Sequence, residues 1–212
     1  MKYKHIIWDW NGTLLDDCQL CVTSFNRSLK KRNLKSISID KYRSIFTFPV
    51  IDAYKKAGFD FKKESFVEVS NEFVEFYEKN FKNVSLHKNV KEILKKISLQ
   101  DVTQSILSAG NQDLLNNWLT QHQIIKIFQN VVGVQNQFAN GKIDQGLNLI
   151  ENLKFNKKDI VLIGDTKHDS EVAEKMDIEC ILVDHGHVNN IRLKKTGRRV
   201  VSNIKNIFEL IN

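Results

Sequence analysis

The sequence of 212 residues has few cysteines, a single proline and no long apolar run. Its three cysteines are an odd number, which argues against a disulfide framework and for a reducing compartment. No segment approaches the ~20 apolar residues that span a bilayer. Acidic residues interrupt the amino-terminal stretch where a secretory signal would be apolar, at Asp9, Asp16 and Asp17. We therefore expect a cytoplasmic protein without a membrane partner.

Arginine-rich runs and aromatic-basic repeats are also absent, although the net charge is +7. A basic balance favours anionic ligands, but without such a run we expect no nucleic-acid partner. The length fits one large domain, or one domain with a modest insertion, and we expect a monomer or a homodimer. Cys18 and Cys21 form one C-x-x-C, but no second pair completes a zinc site, and both share a predicted helix face with Val22 and Phe25. We expect them to pack in the core.

The order of predicted elements indicates an α/β fold. Ile6 and Ile7 lie in a short apolar run that predicts a buried strand. Residues 16–84 then show helical periods and no strand, whereas from residue 88 helices alternate with strands. Those strands are predicted at 102–107, 131–134, 160–163, 180–183 and 199–201. The pattern predicts a doubly wound parallel sheet, with a core domain of residues 1–15 and 85–212 and an all-helical cap domain of residues 16–84 inserted after the first strand.

Polar side chains follow three of the predicted strands. Asp9 ends the first strand, Ser108 the second and Asp165 a later one, and Lys142 lies at the start of a helix. Because parallel strands place their carboxyl ends on one edge, these groups are expected to meet there. Crowded carboxylates need a divalent cation, and hard oxygen ligands suit Mg²⁺. A hydroxyl and a lysine beside them are suited to phosphoryl transfer.

These residues carry a family resemblance. Asp9-Trp-Asn-Gly-Thr-Leu14 resembles motif I of the haloacid dehalogenase-like (HAD) hydrolases, usually Asp-x-Asp-Gly-Thr. Ser108 resembles motif II, Lys142 motif III, and Gly164-Asp165-Thr166-Lys167-His168-Asp169 motif IV. The motif order matches, and the helical insertion resembles a C1-type cap. The subgroup that the chain resembles most is the phosphoglycolate phosphatase-like one.

The resemblance implies a Rossmann-like core and a Mg²⁺ site. In it Asp9 would be the nucleophile and a metal ligand, and Asn11 would offer its main-chain carbonyl. Asp165 would be the third protein ligand, and Asp169 would support the metal's waters and Lys142.

The resemblance also implies the reaction, which is hydrolysis of a small phosphorylated metabolite through an aspartyl phosphate. Thr13 and Ser108 would hold the phosphoryl group, and Lys142 would screen its charge and that of Asp9. Arg43 and Lys55 or Lys56 are candidates for binding an anionic end of the substrate.

Asn11 departs from the family pattern, because most phosphatases of the family carry there an aspartate that protonates the leaving oxygen. An amide cannot donate a proton in that way, so two other functions stay open. One is a C–P hydrolase of the phosphonatase type, which would need a cap lysine. The other is a phosphate-binding or regulatory protein.

Each residue also has a structural interpretation. Asp165 could cap the helix after it, and Asp169 could favour that helix's first turn. We expect His168 to face solvent. His185 and His187 could be a metal pair, but we favour a polar loop.

Overall fold

The computed structural model describes residues 2–135 and 141–211. Its strands are β1 (His5–Trp8), β2 (Thr103–Asn111), β3 (Asn130–Val134), β4 (Ile160–Gly164), β5 (Glu179–Val183) and β6 (Arg199–Val201). They form one sheet in the order β3-β2-β1-β4-β5-β6, and every pair of neighbours is parallel. The predicted doubly wound parallel sheet is therefore confirmed, with β1 at its centre.

The helices lie before, between and after these strands. They are α1 (Cys18–Lys31), α2 (Ile39–Ile45), α3 (Val50–Ala57), α4 (Phe66–Asn80), α5 (Val90–Ser98), α6 (Gln112–Gln121), α7 (Lys142–Asn152), α8 (Lys167–Met176), α9 (Asn190–Lys194) and α10 (Lys205–Ile211). Short 3-10 turns lie at Phe81–Asn83, Ile125–Ile127 and Lys157–Asp159. Among the described helices, none has both the length and the apolar character to cross a bilayer.

The stretch from 16 to 84 contains helices and no strand, as predicted. Its helix α1 packs against α4, and Arg32 at the end of α1 pairs with Glu64 and Glu72 at 2.5 and 3.0 Å. The chain enters and leaves this stretch through adjacent segments, because Leu15 and Leu86 form an antiparallel bridge. The division into a core and a cap remains a prediction.

Two elements, β2 and α9, differ from the sequence-based expectation. β2 runs past Ser108 to Asn111, because its pairing with β3 is interrupted by a register shift and then resumes at Asn111. Such a bulge re-aims side chains, which sequence periodicity does not record. α7 begins at Lys142, as expected, directly after Gly141, whose φ is 99°. The short α9 was not expected.

The cysteines pack in the core, as predicted. Cys18 and Cys21 are 2% and 6% exposed, and they lie in one apolar cluster with Val22, Phe25 and Leu29. All three cysteines are free.

Candidate active site

The site is built at the carboxyl ends of β1 and β4, which are neighbours in the sheet. The chain places β2 and β3 on one side of β1 and β4 to β6 on the other, so the topological switch point lies between β1 and β4. Ligands of open α/β sheets bind at such points. Asp9 directly follows β1 and Asp165 directly follows β4. Gly12 turns the chain shortly after Asp9, at φ 74°, and a side chain at this position would overlap the Asp165 carboxylate.

A buried lysine joins two carboxylates. Lys142 is 2% exposed, and its Nζ lies 2.5 Å from Asp9 Oδ1 and 2.5 Å from Asp169 Oδ1. The other oxygen of Asp169 accepts hydrogen bonds from the Thr166 N–H at 3.0 Å and the Thr166 hydroxyl at 2.6 Å. Asp169 thus also serves the capping box of α8. Thr166, and not Asp165, is the N-cap, which excludes the capping interpretation of Asp165.

The two predicted hydroxyls lie in different surroundings. Thr13 is fully buried, and its Oγ1 lies 3.1 Å from both Asp9 Oδ2 and Asp165 Oδ1. Ser108 is buried at the bulge of β2, where its Oγ accepts the Gly110 N–H at 3.0 Å. Ser108 lines the same cavity as Asp9. Thr13 does not line this cavity, and its hydroxyl contacts the Asp9 and Asp165 carboxylates.

The carboxylates form an acidic cluster. One oxygen each from Asp9, Asp165 and Asp169 lie within 4.8 Å of one another. Burial, opposed by Lys142, raises the pKa of Asp9 to about 6. Burial, opposed by His187, raises the pKa of Asp165 to about 8. Burial would raise the pKa of Asp169 too, but Lys142 outweighs it and the pKa is lowered. The single positive charge of Lys142 therefore does not neutralise the three carboxylates.

The side-chain amide of Asn11 lines the cavity and is held by two neighbouring side chains. Its Nδ2 donates to Asp17 Oδ2 at 2.9 Å and to the Tyr77 hydroxyl oxygen at 3.0 Å. The Tyr77 hydroxyl in turn donates to Asp17 Oδ2 at 2.8 Å. Both amide protons of Asn11 are engaged in this way, so the group it offers to the cavity is Oδ1, which can only accept.

Asp17 and His187 form a buried ion pair beside this amide. Asp17 is fully buried and His187 is 4% exposed, with 3.2 Å between Oδ1 and Nε2. Burial raises the pKa of Asp17, but His187 outweighs it and lowers that pKa to about 2. Burial lowers the pKa of His187, but Asp17 outweighs it and holds that pKa well above its usual range. The Nδ1 of His187 lies 3.1 Å from the Tyr42 hydroxyl.

The loop after β5 covers Asp165. The His187 N–H donates to Asp165 Oδ2 at 2.5 Å, and His185 Nε2 lies 3.1 Å from the carbonyl oxygen of Thr13. His187 lies in a loop, as expected, but its side chain is buried against the site. The expectation that His168 faces solvent is wrong, because its half-buried ring packs on Phe48 at 4.7 Å.

Sequence reasoning gave Tyr77 no role, and it did not foresee that Asp17 and His187 pair with each other beside the site. His187 follows a predicted strand, and the strand-end argument that selected Asp9 and Asp165 would have selected it as well. Asp17 and Tyr77 carry no such signal, because their contact depends on how α1 and α4 pack.

A cavity of about 220 Å³ lies between the sheet edge and the helices of 16–84. Asp9, Asn11, Ser108, Lys142 and Asp169 form its base. Aromatic side chains form much of the remaining wall, and those contributed by residues 16–84 are Phe25, Tyr42, Phe46, Phe48, Tyr54, Phe73 and Tyr77.

The candidate cations of this stretch lie elsewhere. Arg43 donates to the carbonyl oxygen of His185 at 2.6 Å, and Lys55 pairs with Asp52 at 3.4 Å. Neither these two nor Lys56 line the cavity.

A parallel sheet with this strand order and an acidic cluster at its switch point defines the architecture of the haloacid dehalogenase-like hydrolases. The model of that family matches residues 6–183. The chain belongs to the haloacid dehalogenase-like hydrolase family, as its motifs predicted.

Three similar proteins are distant from this chain in sequence. A protein of Caldanaerobacter subterraneus subsp. tengcongensis that carries the name pyrophosphatase PpaX is 21% identical over 184 residues, which are 86% of this chain and 82% of the relative. A haloacid dehalogenase-like family protein of Streptococcus pneumoniae has a TM-score of 0.86 at 16% identity, covering 100% of this chain and 99% of that chain. A predicted phosphoglycolate phosphatase of Haemophilus somnus 129pt has a TM-score of 0.80 at 19% identity, with the same coverage. These structures confirm the α/β fold.

Proposed function

We propose that this hydrolase is a Mg²⁺-dependent phosphatase of a small phosphorylated metabolite, with Asp9 as its nucleophile. One observation carries the proposal: Asp9 lies at the base of a cavity, with Lys142 2.5 Å from its Oδ1. A carboxylate held by a buried ammonium beside further carboxylates is suited to attack on phosphorus.

Each residue of the site has its own role in the reaction. An oxygen of Asp9 attacks phosphorus, the ester P–O bond breaks, and the departing alkoxide takes up a proton. Water then attacks the aspartyl phosphate, inorganic phosphate leaves, one proton is released and the Asp9 carboxylate returns. Lys142 offsets charge on Asp9 and on the phosphoryl group, Ser108 offers its hydroxyl from the wall, and Thr13 keeps Asp9 and Asp165 aligned.

The residues present fit a bound Mg²⁺. Three buried carboxylates face one ammonium, and a carboxylate oxygen that accepts one hydrogen bond keeps a second lone pair for a metal. Asp9, Asp165 and the main-chain carbonyl of Asn11 would hold the ion. Asp169 would act mainly through Lys142 and the metal's waters, because its Oδ2 already accepts two hydrogen bonds from Thr166 and its Oδ1 is held by Lys142. When bound, the ion supplies charge stabilisation for the transferring phosphoryl group.

Residues 16–84 are proposed to act as a cap that selects the substrate. Their helices supply most of the aromatic wall of the cavity, which lies over the acidic cluster. Covering the cluster in this way would exclude water from the reacting group.

A phosphonatase is less well supported. Its Schiff base needs a lysine from the cap, but among the described residues that line the cavity the only lysine is Lys142, which already pairs with Asp9 and Asp169.

Hydrolysis of p-nitrophenyl phosphate tests the proposal. We expect Mg²⁺-dependent release of nitrophenolate that falls by at least about a hundredfold in EDTA and returns when Mg²⁺ is added. Equal rates with and without the metal would contradict metal dependence. Complete inactivity, together with tight binding of phosphate, would favour a binding protein instead.

We expect Mg²⁺ to stabilise the fold more at pH 8.5 than at pH 6. Without metal, Asp9 and Asp165 have pKa values of about 6 and about 8, above the ~4 of an unfolded aspartate. The folded state therefore holds protons that the unfolded state releases, and this contribution to stability is lost as pH rises through 6 to 8. A metal must displace those protons at low pH but not at high pH. Thermal unfolding should show a rise in Tm of about 5 °C or more in saturating Mg²⁺ at pH 8.5.

Two variants control this measurement. Asp165→Asn removes a ligand and should abolish the increment from Mg²⁺, while Asp113→Asn, an exposed carboxylate in the first turn of α6, should keep it. An increment that is the same at both pH values, or that survives in Asp165→Asn, would contradict the assignment.

A further inference from the structure

The wall of the cavity carries little charge away from the acidic cluster. Among the described residues that line it, the cationic side chains are Lys142 and His187. Lys142 is held by Asp9 and Asp169, and His187 is held by Asp17. The residues outside the described ranges contain no lysine, arginine or histidine. No free cationic side chain is therefore available to bind a second anionic group of a substrate, and Glu78 on the wall would repel one.

The polar side chains of the wall are mostly engaged by the chain itself. The Ser70 hydroxyl donates to the Val67 carbonyl oxygen at 3.0 Å, and Asn111 Oδ1 accepts two N–H groups at the start of α6. The hydroxyls of Tyr42 and Tyr77 are bound to His187 and Asp17. A sugar with several hydroxyls would find few free partners here, and each unpaired hydroxyl would lose its hydration.

The remaining wall is apolar and aromatic. Phe46 and Phe48, in the segment that joins α2 to α3, line the cavity together with Val50, the first residue of α3. Phe73 of α4 lies on the wall and stacks on Tyr77. Trp118 of α6 also lines the cavity and contacts the other side chain of this pair, Tyr77. The volume is about 220 Å³, and an apolar cavity of about 150 Å³ accepts one benzene ring. One ring or a short branched chain therefore fits beside the phosphoryl group.

From this wall we infer that the substrate is a phosphate monoester with a compact, uncharged, apolar leaving group, such as an arylmethyl or branched alkyl alcohol. This inference rests on the proposed phosphatase function and specifies its substrate class. It excludes 2-phosphoglycolate and pyrophosphate as preferred substrates, because their leaving groups carry an additional anionic group.

The test compares two esters that release unactivated primary alkoxides, benzyl phosphate and 2-phosphoglycolate, with pyrophosphate as a third substrate. In Mg²⁺ we expect kcat/KM for benzyl phosphate to exceed that for either other compound by about tenfold or more. The non-hydrolysable analogues benzylphosphonate and phosphonoacetate, measured by calorimetry, should show the same order of affinity.

Two variants assign the preference to the wall. Phe73→Ala should lower kcat/KM for benzyl phosphate about tenfold more than it lowers that for methyl phosphate. Val67→Ala, an exposed position on the same helix, should change neither. Val74→Lys places a cation on the wall and should shift the ratio towards 2-phosphoglycolate.

The outcomes separate the two proposals. If no ester is hydrolysed but benzylphosphonate binds preferentially, and Phe73→Ala abolishes that preference, the apolar selectivity of the wall stands as a property of ligand binding, and the phosphatase proposal fails. If hydrolysis depends on Asp9 but favours 2-phosphoglycolate or pyrophosphate, the phosphatase proposal stands and the inference is overturned. Binding of neither analogue, or an unchanged preference in Phe73→Ala, would also overturn it.

Discussion

Asp9→Asn is expected to lower the hydrolysis of p-nitrophenyl phosphate by at least about a thousandfold, because an amide is a poor nucleophile towards phosphorus. The substitution keeps the shape of the side chain and its contact with Thr13. Lys142 keeps Asp169 as its partner, so the fold should survive. Asp9→Ala serves as a second variant that cannot revert to aspartate by deamidation.

A chemical signature distinguishes loss of the nucleophile from general damage. Acid quenching of the wild type with labelled substrate should trap a phosphoenzyme that hydroxylamine cleaves, as an acyl phosphate requires, and neither variant at residue 9 should give one. The exposed Asp113→Asn change should leave both rate and trapping intact. A variant at residue 9 that keeps more than a tenth of the wild-type rate would exclude the aspartyl phosphate.

The helices and strands could be predicted because each follows from the spacing of apolar residues within one short stretch of sequence. The buried runs of β1 and β4 and the amphipathic α4 follow simple patterns of apolar residues. The register shift in β2 could not be predicted, because it depends on pairing with β3. The burial of Lys142 at the start of α7 could not be predicted either, because it depends on contacts with Asp9 and Asp169.

The strand-end carboxylates were predictable on the same basis. Parallel strands bring their carboxyl ends together, so Asp9 and Asp165 could be grouped before any contact was known. Contacts between separate elements were not accessible in this way. The pairing of Asp17 with His187 joins the start of α1 to the loop after β5, across 170 residues of sequence. Nothing in either local stretch indicates that partner.

Asn11 replaces the aspartate that protonates the leaving oxygen in most phosphatases of the family. Neither Asn11 itself nor the nearby aspartates can supply that proton. Both of its amide protons go to Asp17 and Tyr77, so it cannot donate a hydrogen bond to the leaving oxygen. Asp17 has a pKa of about 2, which leaves it ionised and without a proton to give. The side chain of Asp16 is 57% exposed and contacts His87 at 3.8 Å, away from the cavity wall.

Asn11→Asp should therefore restore an acid. The introduced carboxyl would lie beside the ionised Asp17, and two carboxylates so close do not both ionise. Because His187 holds the charge on Asp17, the shared proton should reside on the new group, whose pKa is raised into the working range. Poor leaving groups gain most from a proton donor, whereas nitrophenolate leaves without one.

We expect Asn11→Asp to raise kcat for a simple alkyl phosphate by about tenfold or more, which corresponds to ~1.4 kcal/mol of barrier, and to change the rate on p-nitrophenyl phosphate much less. The gain should shrink as pH rises past the pKa of the new carboxyl. Asn116→Asp, on α6 outside the cavity, is the matched amide-to-acid control, since a carboxylate there can still accept from Gln112. An unchanged ratio of alkyl to aryl rates would mean that another group, such as His187 or Tyr77, already donates the proton.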